Sequence, residues 1–231
     1  MHELWPKPNE AVDIASRLAT DERPQPQGRP WVTMVMITTM DGAIAIDGVS
    51  GGLGSPGDST RFLAARDQAD AIIVGSTTVK SEDYRPTASP IAVITGRLSL
   101  DPNARLFSDP DRKPLLYTTD QAARTHSADF DGVAEVIALG DSFEVAAVLT
   151  DLDNRGMASV VLEGGPTLNS HFLRADLVDE LLLSYSPRII GGDGARLVHG
   201  PAMPDERRFS VDRVLLEDDL IFVRYLRARP S

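Results

Sequence analysis

The chain has 231 residues, with 23 Lys+Arg against 34 Asp+Glu and a net charge of −11. That length is ample for a real core, and the acidic balance argues against a nonspecific nucleic-acid binder, which neutralises phosphates with clustered basic charge. The absence of cysteine excludes disulfides, thiolate zinc sites and a cysteine nucleophile, and it suits a reducing, cytoplasmic setting. The first thirty residues hold Pro6, Pro8, Pro24, Pro26 and Pro30, which predicts an irregular arm over 1–29 with one helix near 10–19, followed by a single domain over 30–231. Apolar, β-branched bursts then alternate with helical patterns. Strands are expected over 31–39, 71–74, 91–95, 115–118 and 133–139, with a helix over 56–68 that starts at Ser55-Pro56. Asp141-Ser142-Phe143-Glu144 has the spacing of a capping box, and Gly156 would stop the helix it opens. A strand over 158–162, a helix over 166–174 and a strand over 180–186 complete the clearest βαβ unit. Two extended patterns at 209–216 and 220–226, split by Glu217-Asp218-Asp219, predict a closing antiparallel hairpin. No signal peptide is visible, and apolar runs such as 71–74 fall far short of the roughly 20 residues of a membrane span. A soluble protein with neither a membrane nor a nucleic-acid partner is expected.

The stretch Val160-Val161-Leu162-Glu163-Gly164-Gly165-Pro166-Thr167-Leu168 reads as a strand that delivers a binding loop to a helix start. Its glycines admit close approach of a ligand, Pro166 suits the first helical position, and the free N–H groups of Thr167 and Leu168 would face an anion, such as the phosphate of a cofactor. Glu163 then sits at the carboxyl edge of a sheet, where open α/β folds bind ligands. The bland alternative is an ordinary strand-to-helix turn with a surface glutamate. A second cluster, Gly75-Ser76-Thr77-Thr78 with Glu82-Asp83-Tyr84, offers hydroxyls for phosphates and an acid for a ribose hydroxyl, or equally a helix cap and a charged surface turn. A third, Thr95-Gly96-Arg97 with Ser99, pairs a hydroxyl with a guanidinium and suits the 2′-phosphate that separates NADPH from NADH, unless it is an exposed turn. Gly52-Leu53-Gly54-Ser55-Pro56-Gly57 matches a dinucleotide fingerprint in letters only. Eleven residues, Asp41 to Gly51, separate it from the preceding strand, and Pro56 stands inside it, so it reads instead as a long Gly-rich binding loop or lid.

Thr39-Met40-Asp41-Gly42, Ser50-Gly51, Arg66, Asp70 to Gly75 with Thr78-Val79, Leu162 to Leu168, and Asp179-Glu180-Leu181 occur in this order. Together, over about 30–227, they resemble the reductase domain of riboflavin biosynthesis, the pyrimidine reductases of dihydrofolate-reductase-like fold. The resemblance implies a three-layer α/β/α domain around a mostly parallel sheet with an antiparallel C-terminal hairpin. It also implies a homodimer and NADPH-dependent reduction of a ribosylamino-pyrimidine 5′-phosphate to its ribityl form. Resemblance and residue readings together assign the cofactor to Gly52, Gly75, Thr78, Glu82, Thr95, Gly96, Arg97, Gly164, Gly165, Pro166, Thr167 and Leu168. They assign the phosphorylated substrate to Ser50, Arg66 and Glu163, with no metal. Arg66 would supply local positive charge in an anionic protein; its alternative is a helix-surface salt bridge to Asp70 at i+4.

Glu163 is the first candidate to orient substrate or relay a proton, since a carboxyl group under a closed ligand can have a raised pKa. Asp41 is the second, although an Asp-Gly pair is more often a turn. Two departures bear on function. Bifunctional relatives carry an N-terminal zinc deaminase with Cys and His ligands, which this sequence lacks. Where many relatives have two aspartates and a proline, this chain has Glu82-Asp83-Tyr84. The aromatic ring leaves open a different heterocycle, such as a pteridine or dihydrofolate. A reductase-like protein that binds NADPH without turnover is the third reading.

Overall fold

The computed structural model describes residues 1–8 and 11–229. In chain order they form β1 (His2–Trp5), α1 (Ile14–Ala19), β2 (Trp31–Thr39), α2 (Pro56–Asp67), β3 (Ala71–Gly75), α3 (Ser76–Ser81), β4 (Ile91–Ile94), β5 (Leu115–Thr118), α4 (Asp120–His126), β6 (Glu135–Ala138), α5 (Val145–Asn154), β7 (Ser159–Leu162), α6 (Pro166–Arg174), β8 (Glu180–Ser186), β9 (Phe209–Glu217) and β10 (Leu220–Arg227). All the strands share one sheet, in the order β1-β9-β10-β8-β2-β7-β3-β4-β5-β6. From β8 through β2 and β7 to β6 each neighbouring pair is parallel. The expected hairpin, β9–β10, joins β8 antiparallel. This is the mixed α/β architecture the sequence implies, with a mostly parallel sheet and an antiparallel edge.

Alternation along the strands divides the core. Ala71 and Ile73 face the α5–α6 side with Val160 and Leu162. Ile72 and Val74 face away, among Val79, Leu106, Phe107 and Phe130. Val35, Val161, Leu182 and Phe222 meet the residues of α1 and α2. Burial on both faces explains why the central strands read as continuous apolar runs rather than alternating ones. Helix α2 starts where its sequence predicts: the Ser55 side chain accepts from Asp58 N at 3.2 Å, with Pro56 in the first turn.

Two details depart from expectation. The helix after β6 starts at Val145 with Glu144 as its N-cap and no side-chain cap bond, so the capping box over 141–144 does not form. Phe143 packs on the core instead, and the chain bends through that stretch before it can turn helical. The arm is not irregular throughout, since β1 pairs with β9 and extends the sheet. Part of the helix expected over 10–19 lies outside the described residues, as do the last two positions of the expected domain; the described helix is α1. Among the described residues no helix is long and apolar enough to cross a membrane.

Candidate active site

The parallel strands end on one edge, and there the chain brings together residues far apart in sequence. Glu163 follows directly on β7 and faces the α2 side of the sheet, as Val161 does. Arg66, in the last turn of α2, meets it side-on: Nε donates to Oε1 at 2.6 Å and Nη2 to Oε2 at 2.7 Å. The Tyr84 hydroxyl donates to Oε2 at 2.5 Å. The Arg66 guanidinium lies 4.4 Å from the Phe62 ring centroid and 5.5 Å from that of Tyr84, so aromatic faces hold it as well. Burial lowers the Arg66 pKa, and the Glu163 carboxylate more than offsets this, leaving it raised. Burial, then the charge of Glu163, pushes Tyr84 well above its ordinary value. Arg66 therefore pairs with Glu163 and not with Asp70, whose carboxylate caps the backbone N–H groups of Ala158 and Ser159 at 2.8 and 2.9 Å.

Beside this cluster runs the diglycine loop. The Gly164–Gly165 peptide is cis and Gly164 has φ +82°, which a side chain rarely adopts. The Gly164 carbonyl accepts from Gly75 N at 2.8 Å, and Gly165 N donates to Thr78 Oγ1 at 3.0 Å. A Cβ on Gly165 would stand 2.9 Å from that hydroxyl, so the close approach requires glycine. Pro166, Thr167 and Leu168 form the first turn of α6, whose leading N–H groups point outward from the edge. Glu82 caps the end of α3 and accepts from Ser50 N at 2.8 Å, which ties the Gly-rich loop to the same edge. Thr95 is buried at the end of β4; Gly96 has open space around it and Arg97 is exposed. Lys80 Nζ donates to Ser99 Oγ at 3.3 Å, so a second cation stands at that turn.

Two sequence candidates sit differently. Asp41 is a turn residue: its carboxylate accepts from Thr39 Oγ1 at 2.5 Å and Gly191 N at 2.7 Å. These bonds, Thr39 first, lower its pKa to about 2, which is the turn geometry the sequence offered as the alternative for Asp41. Gly52 lies on an exposed turn whose carbonyl accepts from Arg188. Because Asp41 is depressed below its ordinary value of 3.8, its contribution to stability is full above that value and is lost as pH falls through about 2. Asp41→Asn should thus lower the melting temperature at neutral pH, and the gap to the parent should close on acidification. A thermal series over pH checks this; a gap independent of pH would count against the clamp.

Sequence reasoning missed the loop after β8. Gly192, Asp193, Gly194, Ala195, Arg196 and His199 line a cavity of about 620 Å³ with Pro166 and Thr167, and His199 N donates to the Pro166 carbonyl at 3.1 Å. The run Gly191-Gly192-Asp193-Gly194 was its signal. Tyr84 was legible as an aromatic residue at the site, but not as a partner of Glu163.

The sheet order, with a mostly parallel sheet and an antiparallel edge, is that of a domain of dihydrofolate-reductase-like fold. Residues 30–218 match the family model described as the RibD C-terminal domain. The chain belongs to that family. It is 31% identical over 209 residues to the 2,5-diamino-6-ribosylamino-4(3H)-pyrimidinone 5′-phosphate reductase of Methanothermobacter thermautotrophicus, covering 84% of this chain and 96% of the relative. Among solved structures, a pyrimidine reductase-like protein from Corynebacterium diphtheriae superposes with TM-score 0.82 at 25% identity, covering 95% of this chain and all of that one. The Thermotoga maritima diaminohydroxyphosphoribosylaminopyrimidine deaminase/5-amino-6-(5-phosphoribosylamino)uracil reductase gives 0.71 at 24% identity; 87% of this chain covers 57% of that longer one.

Proposed function

We propose that the protein is an NADPH-dependent reductase that converts a ribosylamino-pyrimidine 5′-phosphate to the ribitylamino form. The observation that carries this reading is the juxtaposition of two unlike subsites on one sheet edge. One is glycine-lined and rich in donors, suited to a dinucleotide; the other is the Glu163–Arg66–Tyr84 cluster, suited to a polar heterocycle. The cofactor residues fit the group on physical grounds. Gly96 leaves room against the backbone, the first turn of α6 offers free N–H groups to a diphosphate, and Arg97 with Lys80 supplies charge for a 2′-phosphate.

Bound there, the cofactor supplies the hydride. The protein's own part is alignment and exclusion of water. Thr78 fixes the loop through Gly165, Glu82 fixes the Gly-rich loop through Ser50, and Glu163 accepts from the heterocycle. In this reading Arg66 holds Glu163 in place. A cytoplasmic homodimer belongs to the same proposal.

The test is loss of NADPH absorbance with the deaminated and undeaminated ribosylamino-pyrimidine phosphates and with dihydrofolate. Turnover of a pyrimidine is expected. Turnover of dihydrofolate alone, or NADPH binding with no turnover of any of the three, would overturn the proposal.

A further inference from the structure

A carboxylate has about four lone-pair positions for donors. At Glu163, Arg66 takes one on each oxygen and Tyr84 takes the second on Oε2, which leaves one, on Oε1. The Glu163 side chain is only 2% exposed, so it cannot turn both oxygens toward a ligand without breaking the pair. Arg66 cannot retreat either, since the rings of Phe62 and Tyr84 both lie against its guanidinium. The Tyr84 phenol keeps its proton, because burial and then the Glu163 charge hold it well above its ordinary pKa. It is therefore a permanent donor toward Oε2 and never an acceptor for a ligand there.

We propose that Tyr84 determines specificity by limiting Glu163 to a single N–H from the bound heterocycle. The inference rests on the pyrimidine-reductase reading above. A 2-amino-4-oxopyrimidine presents a ring N–H beside an exocyclic amine, an edge that pairs with both oxygens of a carboxylate as a guanidinium does. A 6-ribosylamino-uracil presents, on the edge away from the ribosylamino group, the single N3–H between two carbonyls; its other ring N–H, N1–H, lies on the ribose-bearing edge. With Oε2 saturated, the two-donor edge leaves one N–H desolvated and unpaired, a penalty the uracil does not incur. The site is built for the deaminated, uracil-type substrate.

The experiment compares kcat/KM for the uracil-type and the 2-amino-4-oxo-type ribosylamino phosphates in the parent and in Tyr84→Phe, which keeps the ring against Arg66. The parent should prefer the uracil. Tyr84→Phe should raise the relative kcat/KM for the two-donor substrate by about tenfold, chiefly through KM. A merely structural role for the hydroxyl would lower both values together and leave their ratio unchanged. That result, or a parent that prefers the two-donor substrate, overturns the proposal. If neither substrate turns over, the pyrimidine-reductase reading fails on its own. Equilibrium binding of the same two ribosylamino phosphates, whose ribose occupies the N1/6-amino edge, to the two proteins then decides the donor count, with the same shift expected and an unchanged ratio again overturning it.

Discussion

Glu163→Gln should lower kcat/KM by about 100-fold or more while leaving the NADPH dissociation constant within about twofold of the parent. The amide keeps the size of the side chain but replaces one acceptor oxygen with a donor NH2. Arg66 donates to both oxygens, so whichever way the amide is turned, one Arg66 N–H faces another donor. A hydrogen bond to a charged group contributes about 1.5–3 kcal/mol, and Arg66, its side chain 19% exposed, loses its compensating charge at the same time. The orientation with the carbonyl at the Oε2 position, where Arg66 and Tyr84 both donate, is favoured, and the ligand then meets the NH2 at the Oε1 position and loses its acceptor. The diglycine loop is held separately, by Gly75 and Thr78, so cofactor affinity should survive. Steady-state kinetics with a parallel NADPH titration separates the two effects. Parallel loss of both would show that the variant collapsed the edge, and parent-like turnover would remove Glu163 from the machinery.

The strands were legible because burial on both sheet faces writes β-branched runs into the sequence. Positions 115–118 and 180–186 match β5 and β8 residue for residue. Helix α6 was legible for a different reason: Pro166 opens it, and Leu168, Phe172 and Leu173 repeat at helical spacing on its buried side. Helix α3 was not, because in Ser-Thr-Thr-Val-Lys-Ser only Val79 is buried and six residues give no periodicity to read. Strand β1 was hidden by the prolines around it and exists through pairing with β9, more than 200 residues away. The candidate site divides in the same way. Glu163 and the diglycine loop announce themselves locally, whereas the Arg66–Glu163 and Tyr84–Glu163 bonds span 97 and 79 residues. No local pattern says which acid an arginine will meet. The i+4 spacing to Asp70 pointed to a helix-surface pair, and the fold turned that acid toward the start of β7 instead.

The second large effect is on stability, at Glu180, the first residue of β8. It is fully buried and accepts from Arg224 Nε at 2.7 Å, Arg23 Nε at 2.9 Å, Thr33 Oγ1 at 3.0 Å and Trp31 Nε1 at 3.2 Å. One carboxylate thus pins the segment before β2 to the centre of the sheet. Removing one partner of a buried pair costs about 3–5 kcal/mol where the remaining charge is left uncompensated; here Asp21 and Asp212 still lie against Arg23 and Arg224 and offset part of that loss. Glu180→Ala should therefore lower the melting temperature by up to roughly 20 °C in a domain of this size. Glu180→Gln should lose less, because its carbonyl can still accept from Thr33 and Trp31. Burial raises the Glu180 pKa and the charges of Arg23 and Arg224 more than reverse this, so the folded value lies below the ordinary value of 4.5. A depressed carboxylate stabilises above its unfolded pKa and loses that contribution as pH falls through its folded one. The deficit of Glu180→Gln against the parent should accordingly be largest near neutral pH and shrink on acidification below about 4.5. Chemical denaturation of both variants across pH is the measurement. A Glu180→Ala deficit under about 1 kcal/mol, the value of an exposed ion pair, would mean that water reaches Arg23 and Arg224 once the acid is gone and that the cluster does not anchor the arm.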